Sequence, residues 1–263
     1  MLITDSHAHL YWQSYDADRA QVLERARDAG VRRMLLVGTS PETSRAAFEL
    51  AAREPGLFPT AGIHPHDAAF AGEDAREEVA ELCRREACVA IGETGLDFFK
   101  MHSPREPQLE CFRWHLALAR ELGKAVVVHC RDAHEATLEL LREQPPPRGV
   151  MHCYTMGERE LAPYLELGLA ISFSGVVTYP ANEENRRAAR AVPDEALLVE
   201  TDCPFLAPQG HRGRRNEPAL VREVLARLAE LRGDSLERLA RITSENAARV
   251  FGLPPIDAES AGG

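Results

Sequence analysis

Eight short apolar runs, rich in β-branched residues, recur along the chain and are separated by segments with helical patterning. Continuous apolar runs of this length are typical of strands buried on both faces, as in a parallel sheet. They end roughly 30 residues apart, which suits about 250 residues divided into eight strand–helix units. The runs are Leu2–His7, Met34–Gly38, Phe58–His64, Cys88–Glu93, Ala125–His129, Gly149–His152, Leu169–Ser174 and Leu197–Asp202.

Helix signals lie between the runs. Ser40 precedes a proline, which is typical of an N-cap followed by the first turn. Ser103 begins a capping-box pattern, Asn216 is a predicted cap, and Asp234–Phe251 has helical spacing that stops at a glycine. Alternating strands and helices predict an α/β fold, and eight units predict a (β/α)8 TIM barrel. We expect a single domain over residues 1–263, with a flexible tail from about residue 253.

The charge and the cysteine pattern limit the class of protein. The chain carries 31 Lys+Arg against 41 Asp+Glu, a net charge of -10, which argues against coating nucleic acid by bulk electrostatics. No apolar run reaches the roughly 18 residues of a membrane span, and no signal-peptide pattern opens the sequence. Its six cysteines form no CxxC pair. We expect a cytoplasmic monomer with reduced, mostly buried thiols and no membrane partner.

Six of the eight runs end on a histidine or a carboxylate, and five of these end residues are candidate metal ligands. In a barrel the carboxyl ends of the strands carry the active site, so side chains distant in sequence would meet there. Scattered surface histidines would not fall repeatedly at this one position. The five residues are His7, Glu93, His129, His152 and Asp202.

The first and fourth runs carry the most specific local signals. His7 and His9 are two residues apart, so an extended backbone directs both imidazoles to the same side. Glu93 lies between two nearby glycines, and its two oxygens allow it to bridge two cations. Together with the other strand-end residues, these features predict a metal site.

Sulfur is not expected among the ligands, although a cysteine follows three of them. Neighbouring residues on a strand point to opposite faces, so Cys130, Cys153 and Cys203 should face the helix layer if the preceding residues face the site. A nitrogen and oxygen donor set suits Zn²⁺ or Mn²⁺, or Mg²⁺ with fewer nitrogens. Asp202 could bind a cation and also accept a proton from the attacking water.

Further residues near the predicted mouth are candidates for substrate contact. His64 ends the third run and should face the site, whereas His66 is expected at the surface. A basic cluster over residues 211–215 follows the eighth run, where barrels commonly bind phosphate. Within it Arg215 is the favoured substrate-binding residue, and Arg212 and Arg214 are equally consistent with a solvated turn.

Nine stretches of the chain, in order, resemble the TatD family of metal-dependent deoxyribonucleases in the amidohydrolase superfamily. They span almost the entire sequence, and their combination is highly specific. Two positions depart from the family pattern: Tyr11, where an acidic residue or asparagine is usual, and Met156, where glycine is common. The stretches are Asp5–Leu10, Gly62–Pro65, Ile91–Asp97, Val128–Ala133, His152–Thr155, Ile171–Gly175, Leu198–Pro204, Arg212–Pro218 and Asn246–Phe251.

The resemblance implies two divalent metal ions (Mg²⁺, Mn²⁺ or Zn²⁺) bridged by Glu93. One ion would be held by His7, His9 and Asp202. The other would be held by His129 and His152. The resemblance further implies phosphodiester hydrolysis, often from the 3′ end of DNA, with Asp202 and Glu93 as the catalytic carboxylates. Substrate would be bound by His64, Arg131 and Arg215.

Two other functions remain open at this stage. A barrel with the same ligands can cleave esters or amides, and the wider TatD-like group includes D-aminoacyl-tRNA deacylases. A non-catalytic scaffold on a decayed enzyme fold is the alternative from another class. The complete ligand set argues against that scaffold, because decay usually removes ligands first.

Overall fold

Eight parallel strands form one sheet in the order β1 to β8, so each strand pairs with its sequence neighbour. The computed structural model describes residues 1–254. The eight predicted strands and the (β/α)8 barrel are confirmed. The strands are β1 Ile3–Ala8, β2 Val31–Leu36, β3 Leu57–Ala61, β4 Ala90–Asp97, β5 Ala125–Arg131, β6 Gly149–Met151, β7 Ala170–Phe173 and β8 Leu197–Val199.

The barrel closes between its first and last strands. Ala8 forms a parallel bridge with Cys203. His9 N donates to the Cys203 carbonyl over 2.8 Å, and Asp202 N donates to the His7 carbonyl over 2.9 Å. The segments after β1 and β8 are therefore held side by side at the mouth of the barrel.

Nine α-helices occur within residues 1–254, and none of them is long and apolar enough to cross a membrane. The predicted cap at Ser40 is confirmed, because its hydroxyl accepts a hydrogen bond from Thr43 N. The helices are α1 Arg19–Asp28, α2 Pro41–Ala51, α3 Glu73–Arg84, α4 Arg105–Leu122, α5 His134–Glu143, α6 Leu161–Glu166, α7 Glu183–Ala191, α8 Val221–Arg232 and α9 Leu236–Phe251.

Two predicted helix caps are wrong, because the side chains expected to cap the helices form hydrogen bonds with other loops instead. Ser103 donates to the His66 carbonyl and accepts from Ala69 N, and α4 starts without a side-chain cap. Asn216 donates from Nδ2 to the carbonyls of Thr201 and Phe205. It ties the loop after β8 together instead of capping α8.

The interior of the barrel is filled by one apolar cluster beneath the mouth. Val127 belongs to it and points to the same side of β5 as His129, two residues later. The end of α9 and Leu253 pack into the same cluster, so Leu253 is buried where the tail was expected to begin. The predicted flexible tail otherwise lies outside the described residues from position 255 onward.

Several strands end at different residues from those predicted. The fourth run was expected to stop at Glu93, yet β4 continues to Asp97 and pairs along its length with β5. The eighth strand instead stops at Val199, and Asp202 adopts a left-handed backbone with φ of 55°. Asp202 therefore reaches the mouth from a turn beyond the strand.

Candidate metal centre

Seven histidine and carboxylate side chains converge at the carboxyl ends of the strands. Within residues 1–254 they form three groups in which the potential ligand atoms all lie within 4.8 Å of one another. All six predicted metal ligands are among them, and His64 is the seventh. The groups are His7 with Glu93 and His152, His7 with His9 and Asp202, and His64 with Glu93 and His129.

Glu93 lies at the centre of the cluster and directs its two oxygens to different histidines. Its Oε1 is 2.9 Å from His152 Nε2 and 3.1 Å from His129 Nδ1. Its Oε2 is 3.2 Å from His7 Nε2. A carboxylate in this position can bridge two cations, one on each side.

His7 and His9 point together, as their spacing predicts. Their Nε2 atoms are 3.2 Å apart, and the Oδ1 atom of Asp202 is 3.4 Å from His9 Nε2. The other ring nitrogen of His9 is 2.8 Å from the Val37 carbonyl oxygen. Because a carbonyl only accepts, Nδ1 carries the proton and Nε2 has a free lone pair for a metal.

Two buried carboxylates that the sequence analysis missed hold the remaining histidines. Glu200 Oε1 lies 3.2 Å from His152 Nδ1, and Asp97 Oδ2 lies 3.2 Å from His129 Nε2. Each ring can therefore donate one N–H outward and present its other nitrogen to the cluster. Such carboxylate–histidine pairs fix ring orientation at metal sites.

Both missed residues left a signal in the sequence. Glu200 is two residues before Asp202, in an apolar run where a carboxylate needs a partner. Asp97 follows Glu93 by four residues in a segment that the structure shows to be strand. Its carboxylate also accepts hydrogen bonds from the backbone N–H groups of Phe99 and Lys100.

The electrostatics of the cluster keep its acidic ligands ionised. Burial opposes the charge on Glu93. The attraction of the rings of His152, His64 and His7 outweighs the effect of burial, so the pKa of Glu93 lies well below its usual value. Burial likewise opposes the charge on Asp202, and the hydrogen bond to His9 contributes most to lowering its pKa. Ionised carboxylates suit a divalent cation, and the imidazoles beside them would release their protons when the cation binds.

His64 faces the cluster, as expected, with Nε2 at 3.4 Å from Glu93 Oε1. Burial lowers the pKa of His64 to about 4. Its Nδ1 accepts a hydrogen bond from His66 N, so the neutral ring carries its proton on Nε2. His66 was expected at the surface, but it is half-buried, and its Nε2 is 2.9 Å from Asp97 Oδ2.

Glycines around Glu93 allow β4 to approach its neighbours. A Cβ on Gly95, whose φ is +136°, would lie 2.0 Å from the His129 carbonyl oxygen. A Cβ on Gly92, whose φ is +127°, would lie 2.6 Å from the Val127 carbonyl oxygen. Larger residues would separate Glu93 from His129 of β5.

Tyr11, which departs from the family pattern, contacts the cluster from behind. Its hydroxyl lies 2.9 Å from His9 Nδ1 and donates to the Val37 carbonyl over 2.8 Å. The phenol therefore shares the acceptor that fixes the ring of His9. A phenol therefore stands where an acidic residue or asparagine is usual in the family.

The two predicted substrate-binding arginines have different surroundings. Arg131 ends β5 and is exposed, and its guanidinium carbon lies 4.0 Å from the centre of the Phe99 ring. Arg215 instead donates to both carboxylate oxygens of Asp18 and stacks over Tyr15. This ion pair ties Arg215 to the loop after β1, and its role in substrate binding stays a prediction.

The three cysteines that follow predicted ligands contribute no ligand atom to the clusters of residues 1–254. Cys203 is fully buried, and Cys130 accepts a hydrogen bond from Thr137 of α5, so both lie where strand alternation predicts. Cys153 differs, because it lies beyond the end of β6 with φ of 41°. Its Sγ is 3.2 Å from the Ser174 hydroxyl at the end of β7.

Comparisons with known proteins agree with this geometry. Residues 4–252 match the family model described as TatD related DNase. The chain is 37% identical to the uncharacterized metal-dependent hydrolase YabD of Bacillus subtilis, over 95% of this chain and 99% of the relative. It is 40% identical to the 3'-5' ssDNA/RNA exonuclease TatD of a Rahnella species, over 91% and 94%.

A solved structure supports the same assignment. The TatD homologue YjjV of Escherichia coli superposes with a TM-score of 0.90 at 27% identity, covering 96% of this chain and 98% of that one. The family match, the long alignments and the shared barrel all extend over nearly the whole sequence. The chain therefore belongs to the TatD-related DNase family.

Proposed function

We propose that this protein is a divalent-metal-dependent hydrolase that removes nucleotides from the 3′ end of single-stranded DNA. The observation that carries the proposal is the position of Glu93, with one oxygen toward His129 and His152 and the other toward His7. Relatives that are named 3'-5' ssDNA/RNA exonuclease favour a phosphodiester over an aminoacyl ester as the substrate bond.

The donor set fits two divalent cations. Four imidazoles and two carboxylates contribute to groups whose potential ligand atoms all lie within 4.8 Å of one another. Three of the histidines carry an orienting acceptor on the far ring nitrogen. One ion would be held by His7, His9 and Asp202, the second by His129 and His152, and Glu93 would join them. Mg²⁺, Mn²⁺ and Zn²⁺ are all compatible with these donors.

When bound, such cations lower the pKa of water and stabilise charge on the phosphate oxygens. The protein's own groups supply the remaining steps. Asp202 is ionised and accepts the proton of the attacking water through a carboxylate oxygen. His64 donates from Nε2, the nitrogen that faces the cluster, to a nonbridging phosphate oxygen. Arg131 lies at the end of β5 and offers an exposed positive charge to the neighbouring phosphate.

The test is a metal-dependent nuclease assay. Protein stripped with EDTA is incubated with 5′-labelled single-stranded DNA and Mg²⁺, Mn²⁺ or Zn²⁺, and we expect a ladder that shortens from the 3′ end. A D-aminoacyl-tRNA is tested in parallel. Deacylation without DNA cleavage would overturn the nuclease proposal and leave the metal centre intact.

The Glu93→Ala variant links that activity to the cluster. We expect a loss of turnover on the order of 10³-fold or more, because the variant lacks the carboxylate that would join the two cations. Circular dichroism in EDTA should show an unchanged barrel. Near wild-type activity after rigorous metal exchange would show that Glu93 does not bridge the ions.

We also propose that the protein is a cytoplasmic monomer with a single domain. All six cysteines are free, which suits a reducing compartment. Light scattering of the full chain tests the monomer, and an intact mass before and after thiol alkylation tests the reduced state of protein isolated from cells.

A further inference from the structure

Exposed apolar side chains concentrate at the mouth of the barrel. Within residues 1–254, six large hydrophobic residues are exposed, and five of them lie on loops that follow strands. Single exposed apolar residues are ordinary, but a collection of them around one site indicates a surface that a ligand covers. The five are Trp12 after β1, Phe70 after β3, Phe99 and Met101 after β4, and Phe205 after β8.

Trp12 and Phe205 form a pair directly beside the metal cluster. Their ring centroids are 5.2 Å apart at 87°, an edge-to-face arrangement. Trp12 is 38% exposed and Phe205 is 43% exposed. The Phe205 ring is also 6.1 Å from that of His9, which is one of the candidate metal ligands.

The backbones that carry these rings are anchored. Trp12 N donates to the His9 carbonyl over 3.1 Å, at the start of the turn that leaves β1. Phe205 N donates to the Asp202 carbonyl over 2.9 Å, and the Phe205 carbonyl accepts from Asn216 Nδ2 over 2.6 Å. Loops held in this way lose little conformational entropy when a planar ligand stacks on the rings that they carry.

The other exposed aromatic residues at the mouth have different surroundings. Phe99 has the guanidinium of Arg131 over its face at 4.0 Å. Phe70 is 80% exposed, and no aromatic ring or cation of the described residues pairs with it. The pair formed by Trp12 and Phe205 therefore lies next to the cluster. Within residues 1–254 no cation lies over either ring.

We propose that Trp12 and Phe205 form a stacking platform for the base of the nucleotide next to the scissile phosphate. This inference rests on the proposed function, and its ligand is a base of single-stranded nucleic acid. Base stacking on aromatic rings tolerates any sequence and requires an unpaired base. A chain with a net charge of -10 gains little affinity from bulk electrostatics, so stacking supplies binding energy at this position.

Tryptophan fluorescence gives a direct test, because the chain has two tryptophans. In a Trp114→Phe variant Trp12 is the remaining one, and stacking of a base should quench it. A dT oligonucleotide is titrated in EDTA, so that no turnover occurs, and an abasic oligonucleotide of equal length is titrated in parallel. We expect quenching by the dT oligonucleotide and little change with the abasic one.

Variants of the ring pair sharpen the test. In the Trp114→Phe background, Phe205→Ala should weaken binding of the dT oligonucleotide by roughly 5- to 150-fold. Phe70→Ala, a control with a more exposed ring on the same face, should change it by less than about twofold. An equal loss in both variants would show that general surface contact, rather than the pair, binds the base.

The outcomes separate this inference from the proposed function. A protein that degrades single-stranded DNA without quenching of Trp12 would overturn the platform and leave the nuclease function standing. Base-dependent quenching in a protein that hydrolyses no DNA with any of the three metals would overturn the nuclease function and its scissile phosphate, and would still show that the pair stacks on a base. Equal quenching by the dT and abasic oligonucleotides would also overturn base stacking.

Discussion

The Nδ1 atom of His152 lies 3.2 Å from Oε1 of Glu200, a fully buried carboxylate. The same Glu200 oxygen accepts a hydrogen bond from Cys153 N over 2.7 Å. Glu200 is therefore held by the turn that follows β6, and it fixes the ring that faces Glu93. The orientation of a candidate ligand thus depends on a residue 48 positions away in the sequence.

We expect Glu200→Gln to weaken metal binding or activity by roughly 10- to 100-fold, the usual cost of losing an outer partner of a metal-bound histidine. The amide keeps the shape of the side chain but removes the charge that stabilises the His152 ring. Calorimetric titration with Mn²⁺ measures the affinity. Glu166→Gln on the exposed side of α6 is the control and should leave it unchanged. Equal affinities in both variants would contradict the orienting role.

Much of the fold follows from the sequence because the barrel buries its strands on both faces. Runs such as Ala125–His129 lack polar alternation, and a ligand at the end of each run marks the mouth. The hydrophobic pattern does not, however, predict the residue at which a strand ends. Thr94 and Asp97 are polar but fully enclosed, so β4 continues beyond its apolar run.

Local motifs do not reveal the distant residues that bond to the same side chains. The hydroxyl of Ser103 has the sequence context of a cap, yet the loop after β3 takes its hydrogen bonds. Arg215 lies in a basic cluster suited to phosphate, yet its partner Asp18 is 197 residues away. Neither contact can be read from a single sequence, because each is set by how the loops pack.

Gly95→Ala should destabilise the barrel and separate β4 from β5. The new Cβ would lie 2.0 Å from the His129 carbonyl oxygen at a φ of +136°, and the cost should reach at least about 3 kcal/mol. Urea denaturation in EDTA measures the free energy of unfolding. Gly210→Ala is the matched control, because the nearest atom to its Cβ is 3.8 Å away. Similar stabilities for the two variants would disprove the close approach.

His115 makes the stability of the protein depend on pH. Its Nε2 accepts from Ile63 N and its Nδ1 lies 2.8 Å from the Cys111 carbonyl, so the ring is neutral. Burial lowers its pKa to about 3. In the unfolded chain His115 binds a proton as the pH falls through about 6.5, whereas in the folded chain it stays neutral until the pH approaches about 3. This contribution to stability is therefore present above the unfolded pKa and is lost as the pH falls toward 3.

The His115→Gln variant isolates this effect. Between pH 7.5 and pH 5 the wild type should lose about 2 kcal/mol of folding free energy through His115, and the variant should lack this loss. Other groups titrate in both proteins and cancel in the difference. Urea denaturation in EDTA at both pH values gives the two free energies of unfolding. Parallel pH dependence of the two proteins would show that His115 binds its proton equally well in the folded state.

Arg131 and Arg215 should differ in their effect on substrate binding. Arg131 is exposed at the end of β5, so Arg131→Ala should raise the KM for single-stranded DNA. It should also reduce the slope of log affinity against log salt by about 0.7, the value for one phosphate contact on a single strand.

Arg215→Ala breaks the ion pair with Asp18 and should cost less than about 1 kcal/mol of stability, without a change in KM. Measurements of KM and affinity across a salt series, with urea denaturation of each variant, separate the two effects. A raised KM in Arg215→Ala but not in Arg131→Ala would show that substrate is bound by Arg215, in the loop after β8, and not by Arg131.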